Sequence, residues 1–60
     1  MKKVDIFSIK GNTEEDNKII IDTHNKGIEM TIDEFGRVHN EGGVYIADAV
    51  EVESGEGIGC

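Results

Sequence analysis

Sixty residues with 13 acidic and 6 basic side chains, a formal net charge of -7 and a single cysteine bound one small domain. The lone cysteine excludes an intramolecular disulfide, and one cysteine with two histidines makes a poor zinc set. The acid excess disfavours nucleic acid, whose phosphates need Lys and Arg, and anionic membrane surfaces, and it suits a protein partner with a basic surface.

High charge and short length also fit a disordered chain. Against that stand nine isoleucines and five valines in regular patterns, without a proline to break them. The opening Met1-Lys2-Lys3 leads into no apolar run of signal-peptide length, and no stretch is apolar enough to span a bilayer. With one unpaired cysteine, the expected location is the cytoplasm.

The first run, "KKVDIFSIK", alternates Val4 with Ile6 and then Phe7 with Ile9 in the opposite phase. A bulge shifts the phase, or both faces are buried. "GNTEEDNK" is polar throughout and reads as a loop, with one helical turn opened by Asn12 or Thr13 as the alternative. "KIIIDT" and "IEMTID" read as two strands of a hairpin. A loop over His24-Asn25-Lys26-Gly27 then sets Ile21 opposite Met30 and Ile19 opposite Ile32, on one apolar face with Ile28.

"IDEFGRV" fits a three-residue turn, Glu34-Phe35-Gly36, with Gly36 in the left-handed conformation. Asp33 then faces Arg37 as an opposite-charge pair, and Ile32 faces Val38. After Gly42-Gly43, "VYIADAVEVE" alternates with Val44, Ile46, Val50 and Val52 on one side. Asp48 falls on that same side. A bulge or bend near Ala47–Ala49, an edge strand or a short helical turn relieves the conflict.

These elements predict an all-β or mostly-β domain over residues 1–53, a small antiparallel meander of four to five short strands, followed by a flexible acidic glycine-rich tail over 54–60. The apolar face of Ile19, Ile21, Ile28, Met30 and Ile32 needs a cover, and no amphipathic helix is expected in the chain to provide it. A second copy of the sheet does so, which predicts a homodimer.

Few residues suggest chemistry. Gly55, Gly57 and Gly59 start a dinucleotide-like spacing, but no helix follows to meet a pyrophosphate. Cys60 lacks the three following residues of a prenylation box, and Glu53 and Glu56 disfavour its thiolate. His24 and His39, with Asp22 or Glu41, match no metal-site spacing. Ser8, Ser54 and the histidines form no nucleophile–base pair. No catalytic residue, cofactor or metal is expected.

The binding candidates are Phe35 and Glu34 at a polar hairpin tip, Tyr45 on the face away from Val44 and Ile46, and the acidic Glu51 and Glu53. They predict a non-enzymatic acidic module that inhibits or modulates another protein, of the kind a phage uses against a host nuclease or defence system. Two alternatives stand beside it. One is a carrier or precursor peptide modified at Cys60. The other is a segment of a spike: "KGIEMTID" and "GRV" resemble the β-helical repeats of phage and secretion spike proteins, which implies a trimer.

Overall fold

The computed structural model describes residues 1–53 and 55–59 and contains five strands and one helix. In chain order they are β1 (Lys2–Val4), β2 (Ile9–Gly11), α1 (Glu14–Asn25), β3 (Met30–Ile32), β4 (Arg37–Asn40) and β5 (Tyr45–Glu51). The chain is mostly β, as its alternation predicts. All pairings are antiparallel, in the order β1-β3-β4-β5-β2.

That order places β1 and β2, adjacent in sequence, on opposite edges of the sheet. Flat, five strands would separate the edges by about 19 Å. The link from Val4 to Ile9 reaches about 17 Å even when fully extended. It is not extended, because Asp5 folds it: the N–H of Phe7 donates to Asp5 Oδ1 at 2.9 Å. The sheet therefore curls. Lys2 on β1 reaches Glu51 on β5, Nζ to Oε1 3.1 Å, across the open end of the curl.

The two halves of the first run are thus separate strands, and the phase change falls in the loop between them. Ile9 is fully buried, Val4 and Ile6 pack at the core's margin, and Phe7 is exposed.

The concave face holds Ile9, Met30, Ile32, Val38, Ala47 and Ala49, all buried, and α1 closes it with Ile20. Here the structure departs from the sequence reading. The strand expected over "KIIIDT" and the loop favoured for residues 12–18 are both replaced by this helix. The helical turn opened by Thr13 is what forms, and it continues to Asn25. Thr13 accepts the N–H of Asp16 at 3.2 Å and donates its hydroxyl to Asp16 Oδ2 at 2.9 Å. Glu14, Glu15 and Asp16 put negative charge on the first turn, where the helix dipole favours it. At the other end, the N–H of Gly27 bonds to His24 O at 2.9 Å and that of Ile28 to Thr23 O at 3.2 Å. These two bonds are the Schellman arrangement, and Gly27 supplies its positive φ of 74°.

The residues expected to form a hairpin loop, His24 to Gly27, therefore end a helix. Ile19, Ile21 and Ile28 leave the predicted core face for the same reason. A 3.6-residue period turns Ile20 inward, leaves Ile19 half-buried and turns Ile21 out, whereas an alternating strand would bury Ile19 and Ile21 together. Ile28 is half-buried just past the helix end, while Met30 and Ile32 lie in the core as expected. Since α1 covers this face within one chain, the face itself no longer calls for a second copy.

Asp16 also ties the helix to the sheet. Its Oδ1 accepts the N–H of Asp48 in β5 at 3.3 Å, and Asn17 Oδ1 accepts the N–H of Gly11 in β2 at 2.8 Å. Thr13→Ala removes the cap and is expected to lower stability by about 0.5–2 kcal/mol, read by urea denaturation. An unchanged midpoint would show that the cap does not hold α1.

The β3–β4 turn follows the expected register. Ile32 pairs with Val38, and Gly36 has φ 82°. In β5 the register shifts by one: Val38 faces Ala47 but His39 faces Tyr45, so Ile46 is the extra residue of a bulge. Ala47 and Ala49 consequently point inward and Asp48 outward, which removes its conflict. Of the four residues expected to share a face, Ile46 packs on the core, Val52 is half-buried, and Val44 and Val50 are exposed.

β3 and β4 form an antiparallel hairpin, in contrast to the parallel coils of the β-helical repeats that their sequence resembles. A disordered end is expected from residue 54. In the structure the N–H of Ile58 bonds to Ile9 O at 3.1 Å and that of Gly59 to Ile6 O at 2.9 Å. Ser54 and Cys60, and the expectations attached to them, lie outside the described residues.

Candidate functional site

With the concave face filled, the exposed surfaces are the outer side of α1 and the outer face and ends of the sheet, and the exposed Phe35 and Tyr45 lie on the sheet side. Alternation from the buried residues sets Arg37 and His39 outward on β4, opposite Asp48 and Tyr45 of β5. Two neighbouring hollows result.

The first lies at the β3–β4 turn. Glu34, Phe35, Val50 and Glu51 line it together with Asp33 and Gly36. Phe35 is 74% exposed and Val50 52%. The tip is held by Asp33, whose Oδ1 accepts the N–H groups of Phe35 and Arg37, each at 2.9 Å. The hydrogen bond from the Arg37 backbone, with help from Phe35 and the nearby charges of His39 and Arg37, holds the Asp33 carboxyl below its ordinary value against a smaller desolvation effect. The expected Asp33–Arg37 pairing is thus made through the backbone N–H. The guanidinium goes elsewhere: its central carbon lies 5.6 Å from the centroid of the Phe35 ring.

Arg37, His39, Tyr45 and Asp48 line the second hollow. The Tyr45 hydroxyl donates to Asp48 Oδ2 at 2.9 Å, and the His39 ring meets the Tyr45 ring edge-on with centroids 6.2 Å apart. His39 Nδ1 is buried and has no hydrogen-bond partner among the described residues. Arg37 lines the second hollow and lies over the ring of Phe35, which lines the first.

The hydrogen bond to Asp48, then desolvation and the Asp48 charge, raise the Tyr45 pKa above its ordinary value. The folded state thus holds the phenol proton more tightly than the unfolded chain. That contribution is fully present below the ordinary phenol pKa and is lost as pH rises through the folded value. Tyr45 is the sole tyrosine and there is no tryptophan, so phenolate absorbance reports it alone. Asp48→Ala, which removes both the acceptor and the charge, is expected to move this titration down toward the ordinary value. An unchanged titration would exclude the Asp48 contact as its cause.

The structure brings Glu34, Phe35 and Glu51 to one hollow and Tyr45 to the next. Glu53 is exposed but lines neither. Arg37, His39, Asp48 and Val50 are the members that sequence reasoning missed. The Ile32–Val38 register already put Arg37 and His39 on the outer face, but the bulge at Ile46 hid the match with Tyr45 and Asp48. Among the described residues, no three His, Cys, Asp or Glu side chains converge to hold a metal ion, and no helix is long and apolar enough to cross a membrane. No protein-family model, curated protein or solved structure matches the chain.

Proposed function

We propose that this chain is a protein-binding module that inhibits or modulates its partner, and that the surface joining Phe35, Arg37 and Tyr45 is its contact face. One observation carries the reading: a phenylalanine 74% exposed at a turn fixed by Asp33, with the sole arginine stacked on it and the sole tyrosine alongside. Aromatic side chains and arginine supply most of the energy in protein interfaces, and these three add little to the core. The role is binding without catalysis or cofactor.

A net charge of -7 favours a partner with a basic surface and speeds its approach. The mechanism is occlusion. In its particular form, a phage-type blocker in the cytoplasm covers the basic nucleic-acid groove of a host nuclease or defence protein. That form rests on small size and acidity. Pairing with a second copy, if it accompanies this role, uses a surface other than the face that α1 covers.

The test is capture of a partner from the native host by the intact chain and by Phe35→Ala and Tyr45→Ala variants with unchanged circular dichroism. The expected result is a partner retained by the intact chain, released by added salt and lost with either variant. A partner held equally by all three chains would overturn the contact face.

A further inference from the structure

We propose that the hollow at the β3–β4 turn seats a single lysine or arginine side chain presented by a basic segment of the partner. This rests on the protein-binding reading above and names the chemistry of its central contact.

Three features converge there. The walls of Phe35 and Val50 suit the alkyl stem of a long basic side chain, while the carboxylates of Glu34 and Glu51 suit its charged head. The Phe35 ring already accepts a cation, with the Arg37 guanidinium carbon 5.6 Å from its centroid, and the residue as a whole is 74% exposed. The chain also places an ammonium at this rim, since Lys2 Nζ lies 3.1 Å from Glu51 Oε1. That pair is exposed on both sides, with side-chain exposures of 74% and 50%. Such pairs are weak, so an incoming cation displaces Lys2 at little cost.

An acidic surface alone would give a different pattern. The outer side of α1 carries Glu14, Glu15 and Asp22 without an aromatic residue among them. The aromatic ring distinguishes the turn from that surface.

The experiment is an amide-shift titration of the intact chain with a tetralysine peptide, with tetraglutamate as control. Tetralysine is expected to shift the amides of Glu34, Phe35, Gly36 and Glu51 saturably, and more than those of the helix. Phe35→Leu keeps an apolar side chain but removes the ring face, and should weaken binding by about 2–5-fold. Glu51→Gln should weaken it as well, and Glu15→Gln should not. Equal shifts along α1, or indifference to both Phe35→Leu and Glu51→Gln, would overturn the proposal. The two readings fail separately. A host partner lost with Phe35→Ala, together with no tetralysine binding at the turn, sinks the cation seat and leaves the binding module. A partner indifferent to Phe35 and Tyr45 sinks the module's contact face whatever the peptide does.

Discussion

Ile20→Ala is expected to lower stability by about 2–5 kcal/mol, against less than about 0.5 kcal/mol for Ile21→Ala. The two isoleucines are adjacent and chemically identical. Only their place on α1 separates them: Ile20 is 0% exposed between the helix and the sheet, and Ile21 is 37% exposed. A domain of this size has a total stability of about 3–9 kcal/mol, so Ile20→Ala removes a large share of it and leaves a marginal fold. Urea denaturation of both variants measures the difference. A hairpin strand through the same residues predicts the reverse order, with Ile21 inward and Ile20 outward.

Gly36→Ala is the second large effect, because it joins the fold to the site. Gly36 has φ 82°, and a Cβ placed there would lie 2.7 Å from the carbonyl oxygen of Ala49. A non-glycine residue in the left-handed region costs about 1–2 kcal/mol, and crowding at a packed contact costs about 1–3 kcal/mol more. Relief requires β4 and β5 to part where the N–H of Ala49 donates to Gly36 O at 2.8 Å. The turn then shifts, and Phe35 with it. The expected result is a lower denaturation midpoint together with loss of the partner that the intact chain captures. A variant that keeps both would show that neither the turn nor its aromatic tip depends on this close approach.

What was legible in the sequence follows from which signals are local. The β3–β4 turn was readable because glycine, turn length and alternation all agree, and they fixed the Ile32–Val38 register. The helix was not readable by hydrophobic period. Its inward stripe runs through Asp16, Ile20 and Thr23, and two of these three are polar. Asp16 is satisfied by Thr13 and by the N–H of Asp48, and the Thr23 hydroxyl by Ile19 O at 2.8 Å. Those partners exist only after folding, so the three consecutive isoleucines read as a strand. The true local signals were the end signals, Thr13 three residues before Asp16 and Gly27 after Asn25.

The site was legible in half. Phe35 and Tyr45 stood out as aromatic residues with no core to fill. Their shared neighbour Arg37 did not, because the sequence pairs it with Asp33, and the match of its strand to Tyr45 and Asp48 depends on the β4–β5 register and its shift at Ile46. Losing the predicted hairpin also changed the functional question. Read as a strand face, Ile19, Ile21 and Ile28 need a partner. With α1 in place, exposed Phe35 and Val50 share the hollow at the β3–β4 turn, and exposed Tyr45 lines the other hollow with Arg37.

The most direct measurement is the set of backbone carbon chemical shifts over residues 14–25, recorded with amide exchange on the intact chain. A continuous helical pattern from Glu14 to Asn25, with the Ile20 and Thr23 amides among the slowest to exchange, is the expected result. Extended-strand shifts over residues 18–23, with cross-strand contacts from Ile21 to Met30, would contradict it. That outcome would bare the apolar face again and return the outer-face site to an open question.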